Sequence, residues 1–288
     1  MRRVIVTADD FGLAIPVNEA VERAHREGVL TAASLMVAEP AAADAVARAR
    51  ALPSLRIGLH VVVVEGRPLL PPERIPDLVD DAGRLSSQLV QAGVRYFFHP
   101  RIRRQLEAEI RAQFAAFAAT GLAFDHVNAQ CHMHLHPTVL GIVLKVARDY
   151  GRPPMRVPYE PFAASWRATH DARGLRFANA LLLAPWLALM KARLRAAGVR
   201  YNDRVFGLGD SGRMTPERVV ALLGELQPGV TEIFFHPATG PWPGKAAGLH
   251  AYRHADELAA LLDGDVARAL HAPGVETIAF SDLAPARG

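Results

Sequence analysis

The sequence predicts an α/β fold, a (β/α) barrel with a mainly parallel sheet. Short runs rich in β-branched residues alternate along the 288-residue chain with longer Ala-, Leu- and Arg-rich segments of helical periodicity, a pattern typical of βα units around a parallel sheet. Polar residues collect at the ends of the β runs, which favours a barrel over a sandwich or a helical bundle. An open doubly wound sheet is the alternative, although no Gly-rich nucleotide-binding pattern follows any strand.

The predicted elements begin with a strand at Val4–Thr7 and a helix at Ile15–Glu27, which Gly28 would end as its C-cap. Further strands are predicted at Thr31–Val37, Arg56–Val63, Phe124–Ala129, Met155–Val157, Thr231–Phe235 and Glu276–Ser281. Further helices are predicted at Ala41–Arg50, Arg103–Thr120, Pro137–Tyr150, Pro216–Leu226 and Ala255–Leu262. Two Pro/Gly-rich segments, Arg67–Pro76 and Pro237–Gly248, are predicted to be long loops over the active-site end of the barrel.

Composition and charge exclude several classes of protein. Half of the residues are hydrophobic and 22% are charged, which excludes a disordered or fibrous chain. The length allows one large domain or two small ones, and we expect one domain over residues 1–288. Cys131 is the only cysteine, whereas there are twelve histidines. A disulfide and a thiolate zinc site are therefore excluded, and histidine and carboxylate chemistry is expected. The net charge of +4, without a long basic tract, argues against nucleic-acid binding.

The apolar segment 177–190 is the longest nearly uncharged stretch of the chain. Its 14 residues are too few for a membrane-spanning helix, which needs roughly 20. We therefore expect a helical insertion around residues 170–200 that lies at a membrane interface, or is buried against the barrel or in a homodimer. Because no signal peptide precedes the first strand, the expected location is the cytoplasm, including the inner face of the membrane.

Asp9 and Asp10 follow the first predicted strand, and His60 ends a later one. Adjacent residues of an extended chain point in opposite directions, so the two carboxylates are expected to do different tasks, one binding a cation and the other taking a proton from water. The alternative is that one aspartate caps the following helix. For His60 alone, a structural hydrogen-bonded role is the alternative to metal binding.

The segment 125–137 carries the strongest signal, because its even positions are polar and its odd positions from 127 onward are mostly apolar. The even positions are His126, Asn128, Gln130, His132, His134 and His136. A strand of period 2 would place them on one face, where two histidines can reach one cation at about 2.0–2.1 Å. Fully extended, that face would be about 33 Å long, so some of these side chains must instead bind substrate, orient ligands or transfer protons.

Three further residues stand at predicted strand ends. His236 ends the run Thr231–Phe235 and is a candidate general acid. Arg156 and Glu160 lie at and just beyond the run Met155–Val157. They are expected either to form an orienting ion pair or to contact a polar substrate, and a structural salt bridge is the alternative.

Taken together, these motifs resemble a known family. TADDFG at 7–12, PSLRIGLH at 53–60, HxNxQxHxHxxP at 126–137, RVPYE at 156–160 and EIFFHP at 232–237 occur in this order over most of the chain. The set is similar to the YdjC-like carbohydrate deacetylases. Within that family it is most similar to the hopanoid-biosynthesis-associated branch, HpnK, because of HVNA before the histidines, LHP after them and the late segment GLHAYRHADELAALL.

The resemblance implies an irregular TIM-like barrel of the glycoside hydrolase/deacetylase type and a divalent cation, Mg²⁺ or Zn²⁺. It implies Asp10 and His60 as metal ligands and Asp9 as the base that deprotonates the attacking water. The third ligand of the family is a histidine, which aligns here with Gln130, a neutral and poorer ligand for Zn²⁺. Either Gln130 still coordinates, or His132 or a neighbour replaces it, or the site is weak; we favour the first two.

The resemblance also implies the activity, an N-deacetylase acting on an N-acetylglucosamine-type sugar, with acetylglucosaminyl hopanoid as the expected substrate. His236, or one of His132 and His134, would donate the proton to the departing amine. Two alternatives are a chitooligosaccharide deacetylase and a non-catalytic protein that binds glycans or lipid headgroups with a degraded metal site. The expected partners are a lipid-linked N-acetylated sugar, the membrane surface and a second copy of the chain.

Overall fold

The computed structural model describes residues 1–243, 249 and 251–283, and these form a curved parallel sheet surrounded by helices. The strands are β1 (Arg2–Phe11), β2 (Ala32–Leu35), β3 (Arg56–Val61), β4 (Val127–Ala129), β5 (Arg204–Phe206), β6 (Gly229–Phe235) and β7 (Val275–Ile278). The helices are α1 (Ile15–Glu27), α2 (Ala42–Arg50), α3 (Leu89–Phe98), α4 (Pro100–Ala119), α5 (Pro137–Ala147), α6 (Phe162–Thr169), α7 (Arg173–Ala196), α8 (Pro216–Gly224), α9 (His254–Leu262) and α10 (Gly264–Leu270).

The sheet curls into a ring. Its strand order is β4-β3-β2-β1-β6-β5, with every pair parallel. The segment 155–159 connects the two ends, because Met155 forms parallel bridges to Val127 in β4 and to Tyr201, and the Val205 N–H in β5 donates to the Tyr159 carbonyl at 2.8 Å. The prediction of an irregular, TIM-like (β/α) barrel is therefore confirmed.

β1 is the central strand and has three partners. β6 pairs along Arg2–Ala8, whereas the other edge is divided between β7 at Arg2–Ile5 and β2 at Thr7–Phe11. Every residue from Val4 to Phe11 is buried, as is typical of a parallel strand covered on both faces. The strand that carries the two aspartates therefore lies in the centre of the core.

The structure differs from the predicted elements in several places. The predicted strand Met155–Val157 is reduced to the single bridging residue Met155, whereas β5, a strand of three residues, was not predicted. The helices α3, α6 and α10 were not predicted either. Of the predicted loop Pro237–Gly248, residues 244–248 lie outside the described residues.

α7 contains the apolar segment and is longer than predicted, with 24 residues. By length and composition α7 could cross a membrane, as could the core helices of many soluble proteins. Of its most apolar 18-residue stretch, 17% is buried. Its buried residues are Arg176, Leu187, Met190 and Leu194, and the helix contacts α5 and α6. α7 thus packs beside the barrel by one narrow face and leaves most of its apolar surface exposed.

Candidate active site

A cavity of about 340 Å³ opens at the carboxyl ends of the strands, where barrel enzymes hold their active sites. Six residues singled out from the sequence line it: Asp9, Asp10, His60, Gln130, His132 and His236. They come from β1, β3, the turn after β4 and the end of β6, so residues separated by more than 200 positions meet in one place. The other predicted residues, His126, His134, Arg156 and Glu160, do not line this cavity.

The two aspartates do not point in opposite directions, as the extended-chain argument predicted. The pairing of β1 with β2 shifts register between Ala8 and Phe11, so a β-bulge interrupts the strand there. Asp10 has a φ of 66°, in the left-handed region. A bulge re-aims side chains, and for this reason both carboxylates line the same cavity.

Asp9 is held by a buried network. Its Oδ2 accepts a hydrogen bond from Arg156 Nη1 at 2.6 Å, and its Oδ1 accepts from Arg156 Nη2 at 3.0 Å, Ser34 Oγ at 2.8 Å and Asn128 Nδ2 at 2.9 Å. On its other side Arg156 donates from Nε and Nη2 to Glu232, at 2.8 and 2.6 Å. The guanidinium is fully buried between two carboxylates.

The network sets the protonation state of Asp9. Burial alone would raise the pKa of this carboxyl group, but the charge of Arg156, followed by that of His60, outweighs burial and holds the pKa well below its ordinary value. Asp9 is therefore ionised at neutral pH. Within the described residues Oδ2 accepts one hydrogen bond, from Arg156, so one of its lone pairs remains for a further proton or ligand.

Three donor atoms converge beside Asp9. His60 Nε2 lies 3.6 Å from Asp10 Oδ1 and 3.0 Å from Gln130 Oε1. Donors that share one cation at about 2.1 Å are roughly 3.0–3.4 Å apart. Asp10 Oδ1 is buried without a hydrogen-bond partner, and burial raises the pKa of Asp10 to about 6. A cation would supply the missing partner, so the residues present fit a divalent metal.

Asn128 fixes the orientation of the His60 ring. Its Nδ2 donates to Asp9 and to Ser34, so its Oδ1 faces His60 Nδ1, at 2.7 Å. The network therefore assigns the ring proton to Nδ1 and leaves the lone pair of Nε2 directed at Asp10 and Gln130. Orienting a ligand through its second nitrogen is the usual role of outer partners at metal sites. The neutral Asn128 can thus orient the ring through its amide oxygen.

In the part of the chain that the structure describes, no three His, Cys, Asp or Glu side chains converge as a metal site. A third donor at this site would therefore have to be the amide oxygen of Gln130. His132 lines the same cavity, but its ring contacts Phe234 edge-on, with centroids 5.4 Å apart. The geometry favours Gln130 over His132 as the third donor.

The long polar strand predicted over 126–136 is wrong. β4 ends at Ala129, and Gln130–Leu135 is a tight helical turn in which Cys131 and His132 have φ values of 49° and 52°. The turn breaks the alternation of faces. His134 is consequently buried beneath the cavity, where its Nε2 donates to the Arg156 carbonyl at 3.0 Å and burial lowers its pKa to about 3.

His126 is also placed below the cavity. Its Nε2 contacts Ser34 Oγ at 2.9 Å and its Nδ1 contacts Asp125 Oδ2 at 2.9 Å. Ser34 in turn donates to Asp9. His126 can therefore act on the site only through Ser34, as a support for Asp9 rather than as a group that touches a substrate in the cavity.

His236 also lines this cavity, beside the buried Glu257 of α9. The His236 backbone N–H donates to Glu257 Oε2, and the ring Nδ1 lies 3.8 Å from the same oxygen without a hydrogen-bond partner. Burial lowers the pKa of His236 to about 4 and raises that of Glu257 to about 7. The histidine is therefore neutral at pH 7, next to a carboxyl group that titrates near neutrality.

Arg156 and Glu160 do not form the ion pair considered from the sequence. Arg156 binds Asp9 and Glu232, whereas Glu160 accepts the backbone N–H groups of Gly207 and Gly209 at 3.1 and 2.9 Å. Glu160 lines a second cavity beneath α7. The chain between the two residues includes Pro158, and the two side chains lie in different surroundings.

Sequence reasoning missed Ser34, Glu232 and Glu257 as parts of the site. The sequence did contain a signal for Glu232. Positions 232, 234 and 236 of a strand lie on the same face, so Glu232 shares a face with the candidate His236. No local pattern distinguishes Ser34 or Glu257, whose roles arise from contacts with distant segments.

Known proteins resemble this chain over most of its length. The family model described as YdjC-like protein matches residues 3–272. A carbohydrate deacetylase of Geobacillus stearothermophilus is 30% identical over 98% of both chains. One of Brevibacillus brevis is 39% identical over 160 residues, which are 54% of this chain and 60% of that relative.

The fold has a solved counterpart. The structure of an Enterococcus faecalis protein, described as a cellobiose-phosphate cleavage protein, superposes with a TM-score of 0.74 at 25% identity, covering 98% of this chain and 99% of the other. The family match extends over nearly the whole length and includes every residue that lines the candidate active-site cavity. This chain therefore belongs to the YdjC-like protein family.

Proposed function

We propose that this protein is a divalent-metal-dependent N-deacetylase that removes the acetyl group from an N-acetylglucosamine-type sugar. The carbohydrate deacetylases among its relatives support this activity. The observation that carries the proposal is the convergence of Asp10, His60 and Gln130 on one point of the cavity that also holds Asp9. Mg²⁺ or Zn²⁺ bound there would polarise the acetamide carbonyl and make a water molecule more acidic.

The protein groups divide the remaining tasks. Asp9, ionised and fixed by Arg156, accepts a proton from the attacking water at the free lone pair of Oδ2. His236 faces the same cavity and donates a proton to the departing sugar amine; His132 is the alternative donor. Because its pKa is lowered to about 4, His236 is neutral at pH 7 and must take up a proton during turnover before it donates one.

For the substrate we propose a lipid-linked amino sugar, acetylglucosaminyl hopanoid, reached by peripheral contact at the inner membrane face. The exposed apolar surface of α7 supports a lipid-linked substrate. A soluble chitooligosaccharide is the second candidate, because the relatives' descriptions specify a carbohydrate and no lipid.

The direct test is acetate release from N-acetylglucosaminyl substrates with added Mg²⁺, Mn²⁺, Zn²⁺ or Co²⁺. We expect Asp9→Asn to lower the rate about 10²–10⁴-fold, the usual contribution of a general base, while metal affinity changes little. Asp149→Asn, an exposed aspartate, is the control. An unchanged rate in Asp9→Asn would remove Asp9 from the role of base, and no turnover with any metal would favour a non-catalytic glycan- or headgroup-binding protein.

A further inference from the structure

A second cavity, of about 300 Å³, lies beneath α7 and has no role in the proposed chemistry. Its walls are mainly apolar side chains of α7 and of the segment after Val157, including Phe162, Leu183 and Leu187. The volume is at the lower end of the range for small-molecule sites. Free sugars need many polar partners, so this lining is suited to a hydrocarbon group.

The two cavities meet at Leu208, in the loop after β5, because this side chain lines both. For a ligand with its polar head in the first cavity, the space under α7 lies on the other side of Leu208. The apolar cavity is thus adjacent to the first cavity rather than an isolated pocket on another surface.

A buried polar group marks the junction. Arg176 has a side chain only 4% exposed, and its Nη2 donates to Asp171 and Asp210. Its Nη1 is buried, lies 3.7 Å from Glu160 Oε2 as an ion pair, and is close to Gly209, next to Leu208; it makes no hydrogen bond among the described residues. A buried N–H without a hydrogen bond is costly, even beside an opposite charge. An oxygen atom at the link between a sugar and its apolar substituent would satisfy it.

The outer face of α7 supplies a route from a bilayer. Leu175, Phe177, Leu181, Leu182 and Trp186 are 41–68% exposed, and basic residues follow toward the end of the helix at Lys191, Arg193 and Arg195. An apolar face flanked by basic groups fits the boundary between acyl chains and anionic headgroups. The helix that would contact the lipid thus also forms the roof of the cavity.

We propose that the cavity beneath α7 binds the apolar aglycone of the substrate, the lipid tail of a glycolipid whose N-acetyl sugar lies in the catalytic cavity. The proposal rests on the proposed deacetylation for the position of the sugar. It adds a binding site for the lipid, and the residues proposed for catalysis do not line this site.

The test compares octyl and methyl N-acetyl-β-glucosaminide, below the concentration at which the octyl compound forms micelles. Calorimetry measures their affinity for the metal-loaded protein, and acetate release measures kcat/KM. Each buried methylene strengthens binding about fourfold, so two or more methylenes under α7 give the octyl compound at least a tenfold advantage. Ala184→Trp and Ala188→Phe fill the cavity and should bring the ratio of octyl to methyl affinity toward one. Ala178→Trp changes an exposed position of the same helix that does not line the cavity, so this variant should keep the octyl advantage.

The outcomes separate the two proposals. Equal affinity for both compounds, or an octyl advantage that survives both cavity-filling variants, overturns the aglycone site. An octyl advantage that is lost on filling, but without acetate release under any metal condition, supports the aglycone site and overturns the deacetylase function. Circular dichroism confirms that the three variants remain folded.

Discussion

Arg156 balances the charge of two buried carboxylates at the candidate active site. It is the single cation between the buried Asp9 and Glu232, and its planar group binds each carboxylate through two hydrogen bonds. Removing one member of such a buried group usually costs about 3–5 kcal/mol, because the remaining charges are left unpaired. The sequence indicated Arg156 through its position at a strand end, but its partners lie 147 and 76 positions away.

We expect Arg156→Gln to make activity sensitive to acid. Without the guanidinium, burial is no longer outweighed and the pKa of Asp9 rises. As the proposed base, Asp9 would act in its deprotonated form, so we expect activity to be lost as the pH falls through this pKa. The acidic limb of the kcat/KM profile should then move upward by at least about one pH unit. The measurement is acetate release between pH 4 and 8.

Two further variants make this result interpretable. Arg156→Lys keeps the charge without the planar geometry and should shift the acidic limb less. Arg167→Gln, which breaks an exposed pair with Glu225, should leave it unchanged. If the acidic limb of the kcat/KM profile is the same in Arg156→Gln and in the parent protein, Arg156 does not set the protonation of Asp9.

Gln130 supplies an amide oxygen as the third donor of the proposed metal site. An imidazole is a better donor for Zn²⁺ than an amide oxygen, so Gln130→His should raise Zn²⁺ affinity by about tenfold or more. Competition with a chromophoric chelator measures this without turnover. Gln227→His, at an exposed loop position, is the control. Unchanged affinity would mean that position 130 does not contact the metal.

Regular elements were predictable where the periodicity is sustained, and less so where the backbone departs from it. α1 has the predicted bounds, and β6 begins two residues before its predicted start. The alternation of polar and apolar residues over 126–136 suggested a continuous strand. The strand ends earlier, because Cys131 and His132 adopt left-handed conformations. These conformations are maintained by tertiary packing, which the local sequence does not encode.

α9 connects two loops through one carboxyl group. Glu257 accepts the backbone N–H groups of Met214 and His236, and so it links the loops after β5 and β6. Burial raises its pKa from 4.5 to about 7. The folded protein therefore retains a proton between about pH 4.5 and 7 that the unfolded chain releases.

This protonation predicts a pH-dependent stability. Because the folded state binds more protons in that window, the free energy of unfolding falls as the pH rises from 4.5 toward 7, by up to about 3 kcal/mol from this group. Glu257→Gln cannot titrate and should show a flatter dependence in denaturant unfolding at pH 5 and 8, whatever its absolute stability. Glu276→Gln, at an exposed position, should retain the parent dependence. Equal slopes in all three proteins would contradict the assignment.

Two exposed apolar helices adjoin the catalytic cavity. α3 exposes Val90, Val94 and Phe98, while its Leu89 lines the cavity. α7 exposes its apolar face above the neighbouring cavity. Contiguous apolar surface of this kind commonly marks an interaction site, and its position at the mouth of the barrel would direct the cavity toward a membrane.

We expect the protein to float with anionic phospholipid vesicles, and Leu181→Asp/Leu182→Asp to abolish flotation by placing charge in the interface. The control Ala118→Asp/Ala119→Asp makes the same charge change on exposed positions of α4 and should float as the parent protein does. Equal flotation of both variants would show that α7 does not contact the membrane.

The barrel class followed from the alternation of βα units, but the arrangement of the strands did not. β5 has only three residues and the bridging segment contributes only Met155, so neither presents a sequence run of strand length. The placement of β7 against the first half of β1 depends on pairings between the two ends of the chain. Such long-range choices are made by packing, not by local propensity.

The pairing of β1 with β6 also determines when the site can form during synthesis. β1 is synthesised before the other strands of the sheet, yet its partner strand spans residues 229–235. The strand bearing Asp9 and Asp10 therefore remains without that neighbour until residue 235 has been translated. Pairings of such high sequence separation close late and slowly. The nascent protein must therefore keep an apolar strand soluble throughout elongation, and a chain that stalls before residue 229 contains both aspartates but lacks the framework that holds them.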